Sequence, residues 1–323
     1  MANSVKVYTR TGQGIGRVSY LLATVLGSRL CSVSTKSAFF RSNLESLTGI
    51  PGDLDVLLGP TDLLEFGDPG TLEETALERF EYEISLEFRG VIEERTEEFL
   101  RSLGSLVFPK MTETNLAMVY AGDGDTVYDL FVPGRGIRSI SPPADIYDEA
   151  FRQKITSVLT EYQEDLGKPT GTLDGNCRIY AAGRRVVLEP VTRGGTESTG
   201  SPLVGFMAEH VDEAIVGQLA TAILERSAVV QAPASIPFED VILSFLQVTR
   251  EQFVDRVSCF LIQATDQEMK ITSQILRLGE EGLFAPKSGS PHKLLYRSPT
   301  PDTETELGEV VRKILLRQAP KTP

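Results

Sequence analysis

The nine residues Phe80 to Phe88, F-E-Y-E-I-S-L-E-F, constrain the fold more than any other stretch of the chain. Phe80, Tyr82, Ile84, Leu86 and Phe88 alternate with Glu81, Glu83, Ser85 and Glu87. Successive side chains of a strand point to opposite faces, so this pattern demands a sheet with one buried apolar face and one solvated acidic face. A one-sided sheet of that kind calls for antiparallel pairing rather than a doubly covered parallel sheet.

The flanking sequence supplies hairpins and helices. Leu116 to Ala121 and Thr126 to Val132 read as a hairpin around Gly122-Asp123-Gly124-Asp125, and Arg178 to Ala181 and Arg185 to Val191 as a second around Gly183-Arg184. Apolar residues at helical spacing predict helices from Arg17 to Leu26, Val91 to Leu103 and Asp145 to Leu166, and Thr71 to Arg79 reads as a short one. Asp53 to Leu64 is apolar but of undecided type. Residues 193–202, R-G-G-T-E-S-T-G-S-P, hold no apolar side chain and read as a boundary loop.

The expected class is therefore α+β. Residues 1–192 form a part with antiparallel strands, hairpins and helices, comprising a basic head (1–44) and an acidic segment (45–98). Residues 203–283 form a mainly helical part, with helices over Glu209–Arg226, Phe238–Ala264 and Asp266–Leu278. A tether at 284–302 carries four prolines and leads to an amphipathic helix within 303–323. The stripe of that helix is Leu307, Val310, Val311, Ile314 and Leu315. Burying one such side chain contributes about 1.5–3 kcal/mol, so the stripe must dock on its own body or on a neighbouring subunit. A homo-oligomer through this helix is the expected assembly.

Charge is uneven. The net charge is −13, yet residues 1–44 hold six basic residues and no acid, whereas residues 45–98 hold 16 acids against three arginines. The head either pairs with the acidic segment or faces an external anion such as nucleotide, nucleic acid or acidic lipid. An organelle transit peptide of about 40 residues is a third reading of an acid-free, Arg- and Ser-rich start. Three cysteines, distant from one another and without C-x-x-C spacing, point to an intracellular reducing compartment. No apolar run reaches membrane-spanning length.

Catalytic machinery is sparse. Only His210 and His292 supply imidazole, and neither has a partner at metal or catalytic spacing. For Asp123, Asp125 and Asp129, turn chemistry at Gly122 to Asp125 explains the first two, and the later bidentate Glu that a divalent-ion loop needs is missing. The remaining candidate is V-K-V-Y-T-R-T-G-Q-G-I-G-R, Val5 to Arg17, in which Gly12, Gly14 and Gly16 allow backbone N–H groups to approach an anion and Arg10 and Arg17 add charge. Tyr8 to Gly14 resembles the N-terminal signature of corrinoid adenosyltransferases, where that loop holds ATP phosphates, with Gln13 standing in place of an Asp. Thr9, Gly14, Ile15 and Gly16 resemble the opening of short-chain dehydrogenases, with Arg10 in place of the first glycine. The first family's late Arg-rich helix and the second's Y-x-x-x-K are both absent, so neither is assigned.

Further arginines fall at predicted loops and hairpins: Arg135, Arg138, Arg178, Arg184, Arg185 and Arg193. Arginine suits bidentate phosphate recognition. The expected function is a non-enzymatic, self-associating structural or interaction protein. In its nucleoprotein-like form it binds an anionic polymer, RNA or single-stranded DNA, through these arginines, with no metal, cofactor or membrane partner. The alternatives are a nucleotide-dependent enzyme using Gly12–Gly16 and an organelle-targeted protein that loses its N-terminus.

Overall fold

The computed structural model describes residues 4–28, 30–45, 51–61, 76–89, 117–121, 126–132, 136–145, 147–164, 172–191, 205–209, 212–225, 238–278, 284–286, 293–301 and 303–318. The helix predicted over Val91–Leu103, the loop 193–202 and both histidines lie outside them. The class is α+β, with helices in both halves and a C-terminal helix. The chain divides into two compact units, one of residues 1–26 and 36–170, the other of residues 27–35 and 171–323.

The first unit holds β1 (Ser4–Arg10), α1 (Ile15–Val25), β3 (Ala38–Asn43), β4 (Asp53–Pro60), a 3-10 turn (Ala76–Arg79), β5 (Tyr82–Arg89), β6 (Ala117–Ala121), β7 (Thr126–Val132), β8 (Gly136–Asp145) and α2 (Glu149–Glu161). Its strands run in the order β3-β4-β5-β1-β6-β7-β8, every neighbour antiparallel. The alternation of β5 sets the layers: Ile84, Leu86 and Phe88 are buried with Val7, Leu54, Val56, Leu58 and Phe40, and α1 packs over β3 and β4. Helix α2 starts later than its periodicity predicts. Asp145 ends β8, and the Asp148 carboxylate caps the helix by accepting from the Ala150 N–H at 2.9 Å.

The second unit holds β2 (Leu30–Val33), β9 (Asn176–Ala182), β10 (Arg185–Val191), β11 (Gly205–Glu209), α3 (Glu213–Glu225), α4 (Phe238–Leu246), α5 (Arg250–Arg256), β12 (Ser258–Ala264), β13 (Met269–Gln274), β14 (Leu276–Leu278), β15 (Phe284–Pro286), β16 (Leu294–Ser298) and α6 (Glu304–Gln318). Its sheet runs β16-β13-β12-β9-β10-β11-β2, with β14 and β15 as a separate ribbon. Residues 258–264 and 269–274 are paired strands, where apolar spacing predicts continuations of helices. Helix α4 stops at Leu246 in a left-handed turn at Gln247, φ 55°. There the Val248 N–H donates to the Leu243 carbonyl (3.1 Å) and the Gln247 N–H to the Ser244 carbonyl (3.3 Å), which satisfies the helix end. Helix α5 opens on a reciprocal cap between Thr249 and Gln252. Within the stretch read as a tether, β16 pairs with β13, leaving residues 299–303 as the link to α6.

Both faces of this sheet are covered. Ile242, Leu246, Phe253 and Val257 from α4, α5 and the residue after it pack with Tyr180, Val187 and Cys259. On the other face, Val311, Ile314 and Leu315 of α6 lie over Ile179, Phe260, Ile262 and Ile271. Leu307, Val311 and Ile314 are buried, Val310 and Leu315 half-buried, and Leu316 exposed.

Candidate functional site

The glycine loop lies between β1 and α1. Gly12 adopts φ 65°, a left-handed conformation that glycine enters without a Cβ penalty. This turns consecutive backbone N–H groups toward one point, and a carboxylate of the chain itself occupies it. The Thr11 N–H donates to Glu81 Oε2 at 2.8 Å, and the Gly12 N–H reaches Oε2 at 2.9 Å and Oε1 at 3.1 Å. Glu81 immediately precedes β5, whose register with β1 pairs Tyr82 with Thr9 and so delivers the side chain to the loop. The Tyr82 hydroxyl donates to the Gln13 carbonyl at 3.1 Å, and the Gln13 N–H to Thr11 Oγ1 at 3.2 Å. The arrangement is an anion nest closed by an internal anion.

The other loop residues serve the turn and the helix. Gly14 is extended, and its carbonyl accepts from the N–H groups of Arg17 (3.0 Å) and Val18 (3.2 Å), starting α1. Gly16 and Arg17 are buried within that helix. The Arg10 guanidinium donates to the Arg79 carbonyl at 3.4 Å.

The same unit pairs two residues of the basic head, Lys6 and Arg41, with carboxylates of the acidic segment. Lys6 pairs with Glu83 at 3.6 Å. Arg41 grips Asp55 with two bonds, Nε to Oδ1 at 2.5 Å and a second guanidinium nitrogen to Oδ2 at 3.2 Å, and Arg89 binds the same carboxylate. These are cross-strand pairs of an antiparallel sheet, since Arg41 faces Asp55 in the β3–β4 register. Glu83 departs from the expected solvated face: it is buried, burial raises its pKa, and the nearby Lys6 opposes that rise.

In the second unit, Arg178 lies mid-strand in β9 rather than at a hairpin tip, and it anchors a buried polar cluster that its sequence position does not announce. Its guanidinium reaches Gln274 Oε1 at 3.0 Å, the Tyr180 hydroxyl at 3.5 Å and Glu189 Oε2 at 3.5 Å, and the Cys259 thiol reaches Gln274 at 3.6 Å. Arg178 and Glu189 are each 2% exposed. Burial alone would lower the arginine's pKa, but the fields of Tyr180 and Glu189 outweigh it and hold the guanidinium charged. Burial also raises Glu189, opposed by Arg178. The signal available in sequence is the i, i+2 pair Arg178 and Tyr180, which places both side chains on one face of a strand.

Gly183 and Arg184 form the two-residue β9–β10 turn, with Gly183 at φ 56° and Arg184 exposed. Arg185 is spent on α4: its guanidinium donates to the Phe245 carbonyl at 2.5 Å and lies 5.3 Å from the Phe245 ring centroid. A cation at a helix C-terminus stabilises it through the orphan carbonyls and the dipole. Arg138 stands on β8 opposite Leu130, and Arg135 and Arg193 fall outside the described residues. Among the described residues, no group of three or more His, Cys, Asp or Glu is placed to hold a metal ion. Likewise no helix there is long and apolar enough to cross a membrane.

No family model matches the chain, and no curated protein matches it. Among solved structures, it is similar to a crystal structure of the PCNA2–PCNA3 complex from Sulfolobus tokodaii at 10% identity. That alignment covers 88% of this chain and 99% of the other, with a TM-score of 0.13, a superposition too poor to bear on fold or partners.

Proposed function

We propose that this protein is a non-enzymatic, self-associating structural or interaction protein. The observation that carries the reading is the Glu81 carboxylate held by the N–H groups of Thr11 and Gly12. A nucleotide phosphate at this loop needs the same donors, and it would have to displace a carboxylate already bonded to them. Burial also pushes up the pKa of all three cysteine thiols, away from thiolate chemistry. We assign self-association to α6, the last described helix, whose apolar stripe follows a short link and packs on the sheet of its own unit.

Binding of an anionic polymer is the narrower form of the proposal. On the β9–β10 hairpin, the exposure of Arg184 supports this form, whereas Arg178 and Arg185 are committed within the fold.

Thermal unfolding with and without ATP tests the non-enzymatic reading. No shift is expected for the wild type, and a saturable shift enlarged by Glu81→Ala overturns it in favour of a nucleotide site. Titration with a labelled single-stranded RNA at low salt tests the narrower form, since phosphate contacts are strongest there. Binding weakened by Arg184→Glu supports it, and no binding removes it.

A further inference from the structure

At the centre of the second unit's sheet two hairpins meet, and each has its internal register set by its own turn. Gly183, at φ 56°, turns β9 back onto β10. Between β12 and β13, the Thr265 N–H donates to the Glu268 carbonyl (2.9 Å) and the Glu268 N–H to Thr265 Oγ1 (3.1 Å). Turn geometry of this kind fixes the pairing within a hairpin. The pairing of β9 with β12 has no such turn, because it joins strands far apart in the chain. Its apolar pattern also leaves the register open. Ile179 of β9 and Phe260 and Ile262 of β12 all lie under α6. A slip of two residues keeps each of them on its face and sets Ile179 opposite Ile262 instead of Phe260, an exchange of like for like.

The polar cluster on the opposite face does not tolerate that exchange. Arg178 belongs to the first hairpin and Gln274 to the second, and the Arg178 Nε–H donates to Gln274 Oε1 at 3.0 Å. A slip of two residues carries one past the other by about 7 Å. The guanidinium, 2% exposed, then loses a hydrogen-bond acceptor inside the covered sheet. Tyr180 and Glu189 lie on Arg178's own hairpin and follow it in any slip. The contact with Gln274 is therefore the member of the cluster that reads the junction. On the second hairpin, the Cys259 thiol reaches the same Oε1 at 3.6 Å and holds the amide in place. A buried ion pair adds little net stability over a well-packed apolar replacement, so its cost is repaid in specificity of pairing.

We infer that the Arg178–Gln274 bond fixes the register in which the two hairpins join, which makes Gln274 a positioning residue of the sheet. The inference concerns the second unit alone and is independent of self-association. Three full-length proteins are refolded from denaturant: the wild type, Arg178→Met with Glu189→Leu, and Gln274→Met. Cross-strand amide contacts are then read by NMR on deuterated protein. The wild type should give one set, with Ile179 opposite Phe260. Each variant should add a second set, with Ile179 opposite Ser258 or Ile262. The doubly apolar variant should do so while keeping an unfolding midpoint close to that of the wild type, a split that a merely stabilising role would not produce. If it does not refold, Gln274→Met, which leaves the ion pair intact, decides alone. Gln274→Glu keeps an acceptor and should return a single set. A single native set in a folded variant that lacks the bond overturns the inference, and so does a second set in Gln274→Glu.

Discussion

Glu81 in the first unit and Glu189 in the second are both held carboxylates, but different parts of the chain hold them. Glu81 is exposed and bonded to backbone N–H groups of a glycine turn. Glu189 is buried among side chains, facing Arg178 across the β9–β10 register. Loss of Glu81 leaves amides that water can reach, whereas loss of Arg178 leaves a charge in the core. The contrast teaches that a carboxylate at an exposed turn is a local fastening, and one in a covered sheet is a commitment of the whole unit.

The comparison breaks if the two sites respond alike to mutation. Arg178→Met should destabilise by about 3–5 kcal/mol in denaturant unfolding, because Glu189 is stranded without its counter-ion. Arg178→Met with Glu189→Leu should recover most of that loss, since replacing both partners of a buried pair by apolar residues is often close to neutral. Glu81→Ala should cost only about 1 kcal/mol, as loss of a helix N-cap does. A cost for Arg178→Met no larger than that of Glu81→Ala would erase the distinction.

Backbone conformation gives a finer version of the same contrast. Gly12 and Gln247 both have positive φ, one at the first unit's turn and the other at the end of α4. Gly12→Ala should lose about 1 kcal/mol, and Gln247→Gly should gain about 0.5 kcal/mol, both read from thermal midpoints. The smallest expected effect is a slope. Burial raises the folded-state pKa of Glu83 above its unfolded value. Its contribution to stability is therefore present below the ordinary carboxylate range and lost as pH rises through the raised value. Glu83→Gln carries no charge to lose, so its stability relative to wild type should climb across that window. A parallel pair of pH profiles would contradict this.

Much of the first unit is written in local pattern. The alternation from Phe80 to Phe88 marks β5 because one face is covered and the other largely is not, and Glu83 escapes the pattern because a single buried glutamate does not change the period. The glycine loop is legible as an anion nest, but its occupant is not. Glu81 lies 69 residues from Gly12, and only the β1–β5 register brings it there. In the second unit, Ser258–Ala264 is covered on both faces, so Cys259, Phe260 and Ile262 form a continuous apolar run without period two. Phe253, Val257, Phe260 and Leu261 then fall at helical spacing and extend α5 on paper. The Arg178 cluster is hidden for a related reason: Glu189 and Gln274 become its neighbours only once β9, β10, β12 and β13 are in register.

All three cysteines lie in the second unit, and all are buried, whereas the first unit has none. A thiol reagent added to the native protein therefore reacts only when that half opens, at a rate set by the free energy of the local opening rather than by surface chemistry. Cys31 on β2, Cys177 on β9 and Cys259 on β12 sample three strands of one sheet. Equal labelling rates would mean that these strands part together, and unequal rates would rank them. The chain thus carries an internal clock for the breathing of one half, against a background in which the other half is silent.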